Sequence, residues 1–336
     1  MVKGYEQVEG SDYRETFAPF AKLVSFCLLL AMAARNAWFM DHMDGVTAFL
    51  NPPVEEDIYM NMPEGIEWLE PLFSEENGLI CKLKKSLYGL KQAPHRWYKN
   101  IDAFVRILGF VPTDSDSNIY ISYTDNKIIL LYVDDLLIIS PSTAKIAKVK
   151  TWLLQQYRMT DLGPVNQFLG IEIKQTQHSG THDWAINQSP FISTILSRFR
   201  MSSCCGVTTP LDNGKLLVKA TPELTSPPSL QKEYQALIGT LMYLMMGTHP
   251  DLTYTVSTLS KFSSNPSSDH FCAGKQVLRY LQTTATLSLT FIISQESYLE
   301  GYSDSDWAED KDDSKSTSGY LFTLSGAGVG NQGSKS

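Results

Sequence analysis

"LLYVDDLLIIS", residues 130–140, sets two adjacent aspartates inside a run of Leu, Ile, Val and Tyr. An ionised carboxylate moved into an apolar interior costs several kcal/mol unless a positive group meets it. Either the pair lies on an exposed turn, or a cation is expected beside it. With its flanks, "SNIYISYTDNKIILLYVDDLLIIS" contains three β runs, joined by "TDNK" and by "DD". A two-residue connection is the shortest hairpin, and Asp is tolerated there. A generic Asp-Asp is most often simply a polar turn. Here the flanks are apolar on both sides, and "FMDHMDGVTAF" offers a further carboxylate, Asp44, after another apolar strand. Hard carboxylate oxygens suit Mg2+ held together with substrate phosphates. Two such ions clamping an in-line displacement are a recurrent way to join nucleotides.

Moving outward, residues 15–34 read as helical after Pro19, and "AWFMDHMDGVTAFLN" as a strand running into a turn. "NPPVEEDIYMNMPEG" is loop, short strand, loop. "LICKLKKSLYGLKQAPHRWYKNIDAFVRILGF" predicts a strand, a basic turn, and a helix after Pro94 with apolar spacing at Trp97, Ile101, Phe104, Val105 and Leu108. "STAKIAKVKTWLLQQYRM" predicts a helix with a Ser/Thr cap; "GPVNQFLGIEIKQT" with "DWAINQSP" predicts a hairpin. From Pro190 to about Thr284 the pattern is mostly helical, broken by a Ser/Thr/Pro-rich loop at 203–229. Strands return in "YLEGYSDSDWAEDKDDSKSTSGYLFTLSG", and the Gly/Ser-rich "GAGVGNQGSKS" reads as a frayed end.

The composition, 336 residues with 43% hydrophobic and 19% charged, suits a globular protein of two or three domains. A formal charge of −8 argues mildly against a dedicated nucleic-acid binder. The distribution answers this: Lys82, Lys84, Lys85, Lys91, Arg96 and Lys99 cluster with Tyr88, Trp97 and Tyr98, a local surface able to hold phosphates and stack bases. Five cysteines without a C-x-x-C pair argue against a disulfide scaffold or zinc site. The longest apolar run, Phe26 to Ala34, is short of the roughly 20 residues that span a bilayer, and no secretory signal opens the chain. The expectation is a soluble intracellular protein, cytoplasmic or nuclear, not secreted and without a membrane partner.

"KGYEQVEGSDYRETFAP", "MDGVTAFLN", "EEDIYMNMPEG", "CKLKKSLYGLKQAPHRWY", "LLYVDDLLI", "MTDLGPVNQFLGIEI", "YQALIGTLMYL", "HPDLTYTVSTLSKF", "VLRYL" and "GYSDSDWAEDKDDSKSTSGY" follow one another in this chain. In content and order they resemble the copia-type LTR retrotransposon polyprotein, from its reverse transcriptase into the start of its ribonuclease H, across residues 1–326. The resemblance implies an α+β, right-hand-like polymerase fold followed by a truncated ribonuclease H-like α/β stub. Its expected parts are partial fingers and an antiparallel palm over 1–180, a mostly helical thumb or connection over 181–296, and the stub over 297–336.

Residue by residue, Asp44, Asp134 and Asp135 match the family's catalytic, metal-binding aspartates, implying two Mg2+ ions, with Mn2+ able to substitute. Phe49 matches an aromatic gate against ribose, and Gln92 a residue lining the nucleotide and template base; Tyr132 and Val133 flank the nucleotide. Lys84, Lys85, Lys91 and Arg96 would contact nucleic acid, and Phe168, Leu169 and Gly170 lie in the block resembling the primer grip. Asp304 matches the first ribonuclease H aspartate, while Asp306 reads as a solvated strand-end charge; one aspartate cannot hold two ions, so no nuclease activity is expected. The implied partners are an RNA/DNA template–primer, deoxynucleoside triphosphates and other polyprotein parts: integrase, protease and capsid. The chain also departs from the pattern. The first fingers strands are expected to precede Met1, Cys27 and Val46 stand where many members have Arg and Lys, and "NPPV" replaces a Gly-containing turn. The implied activity is RNA-directed DNA polymerisation; the alternative is a catalytically inactive remnant that keeps the fold and weak nucleic-acid binding.

Overall fold

The computed structural model describes residues 2–63, 79–178, 181–212, 217–219, 227–292, 298–305 and 316–335. The chain divides into two compact units: Met1–Lys22 with Phe39–Pro164, and Leu23–Trp38 with Val165–Ser336. The first helix, α1 (Leu23–Arg35), therefore belongs to the second unit.

The first unit opens with β1 (Phe39–Gly45), β2 (Tyr59–Asn61) and β3 (Ile80–Lys82), the latter two pairing with each other. Then come α2 (Ala93–Ile107), β4 (Val111–Pro112), β5 (Ile119–Ser122), β6 (Lys127–Tyr132), β7 (Asp135–Ser140), α3 (Thr143–Gln156) and β8 (Met159–Pro164). One antiparallel sheet of six strands runs β4-β5-β6-β7-β1-β8. Alternation sorts its two faces. Met43, Leu136 and Ile138 join Trp97, Ile101 and Val105 of α2 and Ile146, Val149 and Leu153 of α3 in one core. Leu137 and Ile139 are equally buried but point to the other face, which is why β7 reads as a continuous apolar run. The helix expected after Pro94 starts at Ala93, with the proline in the first turn, where its missing N–H costs nothing.

Strand β8 was not legible: of "MTDLGP" only Met159 is buried, and the segment carries both Gly and Pro. It forms because β1 offers an open edge, and it accommodates an irregularity opposite His42 and Met43.

The second unit continues with β9 (Gln167–Phe168), β10 (Ile171–His178), β11 (Thr181–Asn187) and α4 (Ser189–Arg198). After these come α5 (Pro228–Gly247), α6 (Thr253–Ser260), α7 (Ser268–Thr284), β12 (Leu289–Phe291), β13 (Glu300–Ser305), β14 (Thr317–Leu324) and β15 (Ala327–Lys335). One sheet runs β12-β11-β10-β9 and another β13-β14-β15. Helices α4 to α7 bury Leu237, Leu241, Leu244, Val277, Leu278 and Leu281 in a shared core. The frayed end expected from "GAGVGNQGSKS" is corrected by β15, which pairs along β14 from Thr317 to Leu324. Backbone pairing needs no side chain, and the buried Ala327 and Val329 anchor the strand. Among the described residues no helix is long and apolar enough to cross a membrane.

The expected hairpin is the antiparallel pair β10 and β11; a second, tight turn joins β9 to β10, with Leu169 at φ 51° and Gly170 at φ 76°. A Cβ at Gly170 would stand 2.9 Å from the Tyr243 hydroxyl oxygen, which donates to the Leu169 carbonyl. Gly170→Ala is therefore expected to destabilise the protein by about 1–2 kcal/mol, from left-handed strain plus a lost or displaced Tyr243 contact. A melting point equal to that of the unmutated chain would contradict this.

Candidate active site

Asp44 lies near the end of β1 and is the cross-strand partner of Asp135, the first residue of β7. Tyr132 also pairs with Asp135, so the reversal between β6 and β7 consists of Val133 and Asp134. The expected "DD" turn is thereby corrected by one position. Register explains it: sliding β7 by one residue would exchange Leu136 and Ile138 for Leu137 and Ile139 on the α2/α3 face. Val133 has φ 57°, whereas Asp134 is absent from the positive-φ residues. Positive φ at only the first central position is the slot where a two-residue hairpin usually places Gly; a β-branched residue there stores roughly 1–2 kcal/mol. Two hydrogen bonds hold the strained turn. Trp97 Nε1–H donates to the Val133 carbonyl at 2.5 Å, and the Gly45 N–H donates to the Asp134 carbonyl at 2.8 Å.

The second of these bonds ties the end of β1 to the turn. Burial raises the Asp134 pKa above its ordinary value; its backbone hydrogen bond opposes the shift, and the charges of Asp135 and Asp44 add to it. Burial also raises the Tyr88 hydroxyl, followed by the charges of Asp134 and Asp44, which sets this ring beside both carboxylates. The Phe49 ring lies 5.0 Å from that of Tyr88. Asp135 differs from its neighbours: its Oδ1 is 2.7 Å from His42 Nε2.

Among the described residues no group of three His, Cys, Asp or Glu side chains is disposed to hold a metal ion. What the site offers a hard cation is the half-buried Asp134, crowded by like charge from Asp44. Such a pair fits an ion whose remaining ligands come from water or phosphate oxygens, the usual arrangement for Mg2+.

The other expected residues are dispersed or engaged. Gln92 is 1% exposed; its amide donates to the Asp12 carbonyl at 2.8 Å and accepts from Gln7 at 3.1 Å. Contact with a nucleotide would require residues 7–12 to move. Tyr132 is half-buried, with its ring 6.0 Å from that of Phe20. Lys91 lies over the Tyr13 ring and donates to the Tyr13 hydroxyl and the Gln7 carbonyl. The Arg96 guanidinium forms ion pairs of 2.6 Å with both Glu55 and Glu56, and its side chain is 17% exposed. Its charge is neutralised within the fold. Lys82 pairs with Asp57 and Lys99 with Glu15, leaving Lys84 and Lys85 exposed and without an ion pair among the described residues.

In the second unit, Phe168 is 1% exposed and packs at 5.1 Å against Phe26, so its ring is core rather than contact surface. Leu169 and Gly170 form the β9–β10 turn. Asp304 is exposed on β13, its carboxylate accepting from the Ser305 N–H at 2.9 Å. Asp306 lies outside the described residues.

Residues 1–213 match the family described as "Reverse transcriptase (RNA-dependent DNA polymerase)". The chain belongs to the reverse transcriptase family. Its relatives agree with the copia-type resemblance. It is 39% identical to the Retrovirus-related Pol polyprotein from transposon TNT 1-94 of Nicotiana tabacum, over 98% of this chain and 25% of that protein. Against the Pol polyprotein from transposon RE1 of Arabidopsis thaliana the identity is 36%, over 96% of this chain and 21% of that one. A transposon Ty5-1 protein of Saccharomyces cerevisiae is 34% identical over 85% of this chain and 90% of its own length. The chain thus spans about a quarter of the length of the Pol polyproteins.

Within this reverse transcriptase chain, the residue that the sequence reading missed is His42. A signal existed: His42 and Asp44 alternate onto one face of β1. Its partner required the β1–β7 register, which no local pattern supplies.

Proposed function

We propose that the chain carries out RNA-directed DNA synthesis, adding deoxynucleotides to a primer 3′-OH. The observation that carries this reading is the strand end where Asp44 stands opposite Asp135 and the next residue, Gly45, holds the carbonyl of Asp134 on a strained turn. A bound Mg2+, or Mn2+ in its place, would lower the pKa of the attacking hydroxyl and offset charge on the triphosphate. The protein's part is positioning. Asp44 and Asp134 present the carboxylates, Trp97 and Gly45 fix the turn that carries Asp134, and Phe49 with Tyr88 forms an aromatic wall beside them. Phe49 would then exclude a ribose hydroxyl.

The six-stranded antiparallel sheet with α2 and α3 supports a palm within residues 1–180, and the helices α4 to α7 support a thumb or connection within 181–296. The three-stranded sheet of β13 to β15 supports a ribonuclease H-like segment over 297–336, with Asp304 on its first strand. In this reading the partners are a template–primer, deoxynucleoside triphosphates and the other parts of a polyprotein, inside a cell.

The test is primer extension on an RNA template with Mg2+. Incorporation by the unmutated chain supports the proposal; none would favour the fold-retaining, inactive remnant, the reading that the engaged Lys91 and Arg96 also fit. Template binding has its own expected outcome. Lys84→Ala combined with Lys85→Ala should reduce the slope of log affinity against log salt by about 2, roughly one per lost phosphate contact. Arg96→Gln should leave the slope unchanged and lower the melting point. A slope that falls with Arg96→Gln would return Arg96 to the binding surface.

A further inference from the structure

We propose that Tyr88 is a positioning residue for sugar selection: its ring braces Phe49 where Phe49 would meet the sugar of an incoming nucleotide, favouring deoxynucleotides over ribonucleotides. The inference rests on the active-site reading above and adds to its gate a residue from a separate segment of the chain.

Phe49 sits on the short 3-10 turn Ala48–Leu50, entered through Thr47 in the left-handed region at φ 52°. So short a turn makes few hydrogen bonds of its own, and the ring's orientation depends on its neighbours. Phe49 packs against the core shared with α2 and α3 and against the smaller cluster of Ile58, Leu90 and Ala93. Tyr88, 37% exposed, belongs to neither cluster, yet its ring lies 5.0 Å from that of Phe49, tilted by 51°. That separation and tilt are those of an attractive aromatic pair. Backbone pairing sets it. Residues 52–54, after Phe49, run antiparallel to residues 84–86, before Tyr88. The Val54 N–H donates to the Lys84 carbonyl at 3.2 Å, the Ser86 N–H donates to the Pro52 carbonyl at 3.0 Å, and Pro53 bridges Lys85. The Tyr88 main chain is also held by the Val2 N–H, which donates to its carbonyl at 2.9 Å, and Gly4 lies too close to the Gly89 carbonyl for a Cβ. Burial, followed by the charges of Asp134 and Asp44, raises the Tyr88 hydroxyl above its ordinary pKa of 10. The hydroxyl thus stays neutral, and the ring can stand beside both carboxylates without adding charge. Without this neighbour the Phe49 ring gains rotamer freedom, and a ring that can yield no longer excludes a 2′-hydroxyl.

The test is equilibrium binding of dATP and of ATP to the full chain with Mg2+, on an RNA template whose primer ends in a dideoxynucleotide, so that no incorporation follows. The quantity read is the ratio of the ATP to the dATP dissociation constant. Tyr88→Ala should lower it about fivefold, the scale of one aromatic pair, chiefly by tightening ATP. A merely structural loss would weaken both nucleotides together. Tyr88→Phe keeps the ring and should keep the ratio. Phe49→Ala should lower the ratio at least as far, and adding Tyr88→Ala to it should change nothing more, because the brace acts only through the gate. The inference is overturned if folded Tyr88→Ala keeps the unmutated ratio, if Tyr88→Phe loses it, or if the two alanine effects add. Circular dichroism checks the fold; should Tyr88→Ala not fold, Tyr88→Leu is read in its place against the same expectation. An unmutated chain that binds neither nucleotide overturns the active-site reading and this inference with it, whereas the outcomes above overturn only the brace.

Discussion

Asp134→Asn is expected to cost at least about a hundredfold in primer-extension rate, the scale of losing one preorganised charge interaction at a reacting phosphoryl group. The same substitution is expected to raise the melting point at neutral pH. Both effects come from one cause. Burial, then the charges of Asp135 and Asp44, outweigh the backbone hydrogen bond and hold the Asp134 pKa above its ordinary 3.8. The folded state thus binds that proton more tightly than the unfolded chain does. Stability falls as pH rises from 3.8 through the raised folded value and stays lower above it. Asparagine keeps the size and removes the charge. The gain from Asp134→Asn should therefore be largest at neutral pH and vanish below pH 3.8, as melting curves across that range would read. A lower melting point for Asp134→Asn at pH 7 would mean that the carboxylate is satisfied in the apo fold. A functional site that destabilises its own scaffold is the usual form of the stability–activity trade-off.

The elements that could be read were those whose side chains report their surroundings. β7 declares itself because Leu136 to Ile139 are buried on both faces, and α2 because Trp97, Ile101 and Val105 fall on one stripe. The turn between β6 and β7 was misplaced by one residue because Val133 breaks the rule used to find it: valine is the wrong residue for φ 57°. Tertiary bonds from Trp97 and Gly45 overrule that preference, and neither is local. β8 and β15 escaped because their pairing is made by backbone against an available neighbour. The ion pairs of Arg96 escaped because its charge was counted without its partners, although Glu55 and Glu56 stand together in "VEED". The resemblance located Asp44, Asp134 and Asp135, but the bond of Asp135 to His42 depends on strand register.

Lys150→Ala is expected to destabilise the first unit by about 3 kcal/mol, the low end of what breaking a buried charge network costs. Lys150 projects from α3 onto the sheet, with its Nζ 2.5 Å from Asp41 of β1 and 2.6 Å from Asp161 of β8. Its side chain is 10% exposed and that of Asp41 17%, whereas Asp161 at 42% is partly screened by water, which is why the low end applies. Burial alone would lower the Lys150 pKa; hydrogen bonds and charge from Asp161 and Asp41 outweigh it and raise the pKa above the ordinary 10.5. Burial would raise Asp161, but Lys150 and the Gly163 N–H bring it below the ordinary 3.8. The Asp161 contribution is thus present above pH 3.8 and lost as pH falls through its lowered value. The Lys150 contribution is complete below pH 10.5 and lost as pH rises through its raised value. Between these limits the network stabilises evenly, so the deficit of Lys150→Ala should be flat across neutral pH. At about 2–4 °C per kcal/mol, the melting point should drop by roughly 10 °C. Adding Asp41→Asn and Asp161→Asn to Lys150→Ala should recover most of that loss, because the penalty is two carboxylates left without their cation rather than a lost attraction. If the triple variant melts no higher than Lys150→Ala, the loss comes from the packing of the lysine stem between α3 and the sheet.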